Sequence, residues 1–122
     1  MQLIPIAIDL TYLNTLTDGD KSFEQILLKC TIDDVDAKID GLQSSWKAKN
    51  VTALRESAHS LVSLSAIAGM PQVEGWSRLI DQQCADGIFH PELEELVINI
   101  SAGWPGAKAE LKMILQDTIA LQ

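Results

Sequence analysis

The run Glu56-Ser-Ala-His-Ser-Leu-Val-Ser-Leu-Ser-Ala-Ile-Ala-Gly69 holds His59, one of the chain's 2 histidines. Imidazole is the side chain best placed to act as nucleophile or proton carrier near neutral pH. On a helix, the surface neighbours of His59 are Thr52, Arg55, Glu56, Val62, Ser63 and Ala66. Apart from Arg55 and Glu56 these are short or compact, so the ring should stand on a surface that a partner can approach closely. Between Gly41 and Ser65, Lys47, Lys49 and Arg55 stand against Glu56, in a chain whose net charge is −8. A locally basic patch around an exposed histidine attracts an acidic partner or a phosphoryl group. Position and charge alone, however, favour an ordinary surface histidine.

Other chemistries fail on spacing. Glu56-Ser-Ala-His59 has the Glu-x-x-His interval of di-iron bundles, but such a site needs a second pair and two further glutamates. The other histidine, His90, has Gly87 three positions before it, so no metal site is expected. His90, between Phe89 and Pro91, reads as a polar loop residue or a helix N-cap. Cys30 and Cys84 form no CxxC motif and fall in apolar surroundings, so two reduced, buried thiols are expected. A disulfide is the less favoured alternative. Nothing in the spacing supports a cysteine–histidine nucleophilic pair.

The elements that must position His59 follow from composition and periodicity. At 122 residues and 47% hydrophobic, the chain suits one globular domain, 1–122, with a real core. Leu, Ile, Val and Ala dominate and aromatics are only 5%, which favours packed helices. The sequence pI of about 4.5 argues against nucleic acid and against an anionic membrane surface. The opening Met1–Leu13 is apolar but lacks a basic leader and a small-residue cleavage site. No stretch reaches the roughly 20 apolar residues of a membrane span. A cytoplasmic protein is expected.

Ile8–Leu13 reads as a short helix capped by Asp9 and ended by Thr17-Asp-Gly-Asp20. Asp20 or Ser22 caps the next helix, Ser22 through a capping box with Gln25. Its inward face is Leu28, Ile32, Val35, Ile39, Leu42 and Trp46. Lys47–Asn50 form a turn, with Asn50 as the following N-cap. The third helix runs from Val51 to about Ala68 along the seam Val51, Leu54, Ala58, Leu61, Ser65 and Ala68. His59 lies roughly 120° from the centre of that seam. Gly69 ends this helix and Pro71 opens a fourth, with Val73, Trp76, Ile80 and Cys84 inward. Asp86-Gly87 stops it. Pro91 opens the last helix, with Glu92, Glu94 and Glu95 in its first turns. Ser101–Gly106 resembles a breaker. Yet Leu93, Val97, Ile100, Trp104, Ala107, Leu111, Ile114 and Thr118 keep one phase across it. One long helix kinked near Gly103 and Pro105 is expected, two helices being the alternative. The three tryptophans read as packing residues, and Asp33-Asp34 and Glu94-Glu95 as solvated faces. Short connections make neighbours antiparallel. The expected fold is therefore all-α: an antiparallel up-down-up-down four-helix bundle with a short additional N-terminal helix.

Ala58-His59-Ser60-Leu61 with Ser65, Ala66 and Gly69 resembles the signature helix of histidine-containing phosphotransfer (HPt) domains, roughly A-H-x-L-K-G-S-S-x-x-x-G. The likeness extends to the opening helix at Ile8–Leu13, the long helix Asp20–Lys47, the approach Val51–Arg55, and Trp76, Leu79 and Ile80 of the fourth helix. It implies a phosphocarrier in a two-component phosphorelay. His59 would take a phosphoryl group from the aspartate of a response-regulator receiver domain and pass it to another receiver. A hybrid histidine kinase is a further implied partner. The family is a phosphohistidine carrier rather than a turnover enzyme, with no cofactor and no metal of its own; the receiver brings Mg²⁺. Two positions depart from the pattern. Val62 replaces a lysine that lends charge to the phosphoryl group, and Ser63 replaces a glycine that leaves it room. Leu64 also replaces a small polar residue. Arg55, one turn before His59, is the candidate substitute cation, and Val62, Ser63 and Ala66 are candidate receiver contacts. A degenerate HPt-like domain that binds a receiver or kinase without carrying phosphate is the second reading. An unrelated bundle acting only as an adaptor is the third.

Overall fold

Two polar caps set where the long helices begin. The Asp20 carboxylate accepts from the Phe23 N–H at 3.1 Å, and the Asn50 side chain accepts from the Ala53 N–H at 3.1 Å. Of the two candidate caps for the second helix, Asp20 therefore serves. The structure, a computed structural model, describes residues 4–120; Met1–Leu3 of the apolar opening lie outside them. The helices are α1 (Thr11–Thr17), α2 (Lys21–Lys47), α3 (Val51–Ile67), α4 (Pro71–Gln83) and α5 (Leu93–Ala120), with a short 3₁₀ turn at Cys84–Asp86.

α2, α3, α4 and α5 each pack on two of the others, closing a ring, and α1 lies on α2 and α3. The registers run in opposite senses. Gln25 donates to the Thr118 carbonyl at 3.3 Å, while Trp104 Nε1 donates to Asp36 at 2.8 Å. Later residues of α5 thus meet earlier residues of α2. All of Leu28, Ile32, Val35, Ile39 and Leu42 are buried. So are Leu54, Ala58 and Leu61 of α3, and Val73 and Ile80 of α4. Each buried leucine or isoleucine contributes about 2 kcal/mol, whereas an exposed ion pair gives at most about 1 kcal/mol. Apolar contact, not surface charge, therefore holds α3 against α4.

α5 continues through Pro105 without a break in the described helix. Val97, Ile100, Trp104, Ala107 and Leu111 stay buried along one face. Proline costs one helical hydrogen bond, but this apolar stripe and the Trp104–Asp36 bond hold the segment in phase.

Three expectations are corrected. The first helix begins at Thr11, not at Ile8: the Asp9 carboxylate accepts from both Thr11 N–H (3.0 Å) and Thr11 Oγ1 (2.6 Å), closing a turn ahead of the helix. Cys30 is exposed while Cys84 is buried, and both are free thiols. Thr31 and Ile32 take the inward positions of that turn, leaving Cys30 outside. Pro91 sits in a turn, closed by Leu93 N–H to His90 at 3.1 Å, and α5 starts at Leu93. His90 is in that loop and pairs with Asp86 at 2.8 Å.

The opening segment is strapped across the α3–α4 corner. Asp9 N–H donates to the Gly69 carbonyl at 2.7 Å. Gln72 accepts from Ala7 N–H at 2.6 Å and donates to the Pro5 carbonyl at 3.0 Å. Gly69 has φ +73°, and a β-carbon there would meet the Asp9 backbone. Glycine is therefore required twice over, by conformation and by contact. No helix among the described residues is long and apolar enough to cross a membrane.

Candidate functional site

Ala58 and Leu61 are fully buried on either side of His59, so α3 is fixed while the imidazole points away. The His59 side chain is 78% exposed. Its Nδ1–H donates to Asp81 Oδ2 at 3.0 Å, across to α4. An ionised carboxylate can only accept, so in the neutral ring the proton resides on Nδ1 and the Nε2 lone pair is the free one. Arg55 Nε donates to the other oxygen, Asp81 Oδ1, at 2.9 Å.

These two donors explain the charge state of Asp81. The hydrogen bond from His59, followed by that from Arg55, holds its carboxyl below the usual carboxylate range; partial burial opposes them and loses. Asp81 thus stays an anion, orienting one ring nitrogen and leaving the other outward.

His59, Val62, Ser63, Arg78, Asp81 and Gln82 line a recess of about 270 Å³. Val62, Ser63 and Arg78 also edge a larger groove of about 710 Å³, shared with Asp9, Tyr12 and Ala66. The chemistry available is nucleophilic attack by a neutral imidazole nitrogen, in a setting open enough for a macromolecular partner. Among the described residues, no group of three or more His, Cys, Asp or Glu side chains is placed to hold a metal ion.

The structure brings His59, Val62 and Ser63 together and places Ala66 one step away, in the groove rather than the recess. Arg55 reaches Asp81, so its charge is engaged by the carboxylate that holds His59. The local basic patch does not gather around the ring. Lys47 and Lys49 sit at the α2–α3 turn, and Asn50 to His59 spans about 14 Å of helix.

Sequence reasoning missed Asp81, Arg78 and Gln82. All three lie on α4, where helical spacing within α3 does not reach. A signal was present. His59 precedes Gly69 by 10 residues and Asp81 follows it by 12, so a tight antiparallel hairpin turned at Gly69 sets them opposite each other.

No protein-family model matches the sequence, and no curated protein does. Solved structures do match. The HPt domain of an Hpt sensor hybrid histidine kinase from Shewanella aligns with a TM-score of 0.79 and 14% identity, covering 90% of this chain and 94% of that one. Histidine-containing phosphotransfer protein B (HptB) from Pseudomonas aeruginosa PAO1 aligns with a TM-score of 0.79 and 19% identity, covering 90% of this chain and 95% of that one. The chain has the fold of these HPt domains.

Proposed function

We propose that this chain is a phosphocarrier of a two-component phosphorelay, with His59 as the residue that carries the phosphoryl group. The observation that carries the reading is the His59 Nδ1–Asp81 hydrogen bond at 3.0 Å on a ring 78% exposed. It leaves Nε2 as an outward nucleophile with a defined tautomer.

In the proposed step, the Nε2 lone pair attacks the phosphorus of a receiver's aspartyl phosphate. The N–P bond forms as the acyl O–P bond breaks, and the carboxylate leaves with the receiver. The ring then carries the phosphoryl group on Nε2, keeps its proton on Nδ1, and gains positive charge that Asp81 offsets. The reverse step returns the phosphoryl group to a second receiver. Such transfer depends on positioning and charge rather than on elaborate side-chain chemistry, which fits a site built from one imidazole and its orienting carboxylate. The partners are response-regulator receiver domains, with a hybrid histidine kinase as a candidate upstream donor, and the setting is cytoplasmic.

The test is incubation with phosphorylated receiver domains. Acid-labile, base-stable label that disappears in His59→Gln supports the carrier. Tight receiver binding without label supports instead an HPt-like domain that no longer carries phosphate, the reading that Val62 and Ser63 motivate.

A further inference from the structure

The recess at His59 holds one carboxylate, Asp81, and one guanidinium, Arg78. A phosphoryl group on Nε2 brings close to two negative charges into a space that already contains an anion. Like charges at such range oppose loading unless a cation faces them. Arg55 is engaged through Nε with Asp81 at 2.9 Å. Arg78 is held more loosely: its ion partner is Glu74, one turn back on α4, at 3.6 Å, and its side chain is 60% exposed. A surface pair of that length and exposure is readily exchanged for a better one. A guanidinium offers two parallel donors to phosphate oxygens, a stronger match than a single long contact with a carboxylate.

We infer that Arg78 is the phosphoryl-binding cation of this site, releasing Glu74 to grip the phosphoryl group on His59. The inference rests on the phosphocarrier reading of His59. It assigns the charge-neutralising role to α4, across the helix interface from the ring, in place of Arg55. It also links the two concavities. Glu74 and Arg78 both line the larger groove, so loading His59 leaves the Glu74 carboxylate unpaired there. The loaded and empty forms then present different charge to a partner seated in that groove.

The test uses the full chain and phosphoramidate, a small P–N donor, so that no partner contact intervenes. Nε2 attacks phosphorus, the P–N bond of the donor breaks, and ammonia leaves. Loading is followed by ³¹P NMR, together with the pH titration of the bound phosphoryl group. Arg78→Ala should load about tenfold more slowly, and its phosphoryl group should titrate at higher pH than in the parent. Arg78→Lys should recover part of the rate, and Glu74→Gln should load about twofold faster because the competing carboxylate is gone. Equal loading rates and superimposable ³¹P titrations in Arg78→Ala and the parent overturn the inference while leaving His59 as the carrier. A folded parent protein that takes no phosphoryl group from the donor at all overturns both.

Discussion

His59 and Asp81 meet across two helices through a single hydrogen bond, Nδ1 to Oδ2 at 3.0 Å, and that bond decides which ring nitrogen faces solvent. The partner is an acceptor only, so the ring is held in one tautomer without being enclosed. Asp81→Asn presents an amide that can accept or donate, and the preference is lost. Phosphoryl acceptance should fall about tenfold. The ring ¹⁵N shifts of His59 should move from the Nδ1–H pattern toward a tautomer mixture. An unchanged nitrogen spectrum in the variant would remove Asp81 from the mechanism.

In the proposed carrier, Arg55 would act through Asp81 rather than on the phosphoryl group. Its Nε contact at 2.9 Å steadies the carboxylate. Arg55→Ala should therefore slow acceptance only about two- to threefold, and should add nothing in an Asp81→Asn background. Additive losses in the double variant would show an independent role for Arg55.

Acid should reveal the same contact in stability. The Asp81 carboxyl is held below its ordinary value by His59 and then Arg55. A depressed carboxylate contributes stability that is complete above the unfolded value of about 3.9 and is lost as pH falls through the folded value. The difference in melting temperature between the parent and Asp81→Ala should be larger at about pH 5 than in acid, shrinking as pH falls below about 3.9 and the carboxyl is protonated. Other carboxylates, among them Asp36 beside Trp104, are also depressed; the difference between the two proteins isolates Asp81. A gap of unchanged size across that range contradicts the assignment.

How much of this was legible beforehand depended on whether one helix or two were involved. The stripe Leu28–Leu42 and the phase Leu93–Leu111 through Pro105 follow from spacing within single helices, and Asn50 follows from local capping chemistry. The outward position of His59 follows from the same spacing, whereas a phosphoryl-carrying role for it comes only with the resemblance to HPt domains. The carboxylate that orients it was not, because Asp81 becomes its neighbour only when α3 and α4 are set in register. Cys30 was misplaced because an apolar neighbourhood in sequence does not fix which side of the helix a residue takes. Asp9 was misread because its carboxylate closes a turn before the helix instead of capping it.

Gly69 should tolerate no side chain. Its φ of +73° and the Asp9 backbone beside it both exclude a β-carbon. Gly69→Ala should cost more than about 2 kcal/mol, read as a drop in the denaturation midpoint. Hydrogen exchange at the Asp9 amide should rise first, since its acceptor is the Gly69 carbonyl.

Ser77 offers the opposite case. Its hydroxyl is fully buried on α4 and has no hydrogen-bond partner among the described residues. An unpaired buried hydroxyl is a cost, and removing it leaves only a small void. Ser77→Ala should raise stability by up to about 1 kcal/mol, measured by chemical denaturation. A loss of that size would mean that the hydroxyl is paired in solution.

Gln72 ties down the opening segment with both ends of one amide, its oxygen toward Ala7 and its nitrogen toward Pro5. Hydrolysis of that amide to a carboxylate would keep the first contact and set an oxygen against the Pro5 carbonyl in the second. Chemical ageing at a single side chain would then repel what it now fastens, and the segment above Gly69 would begin to lift while the helices beneath stayed intact.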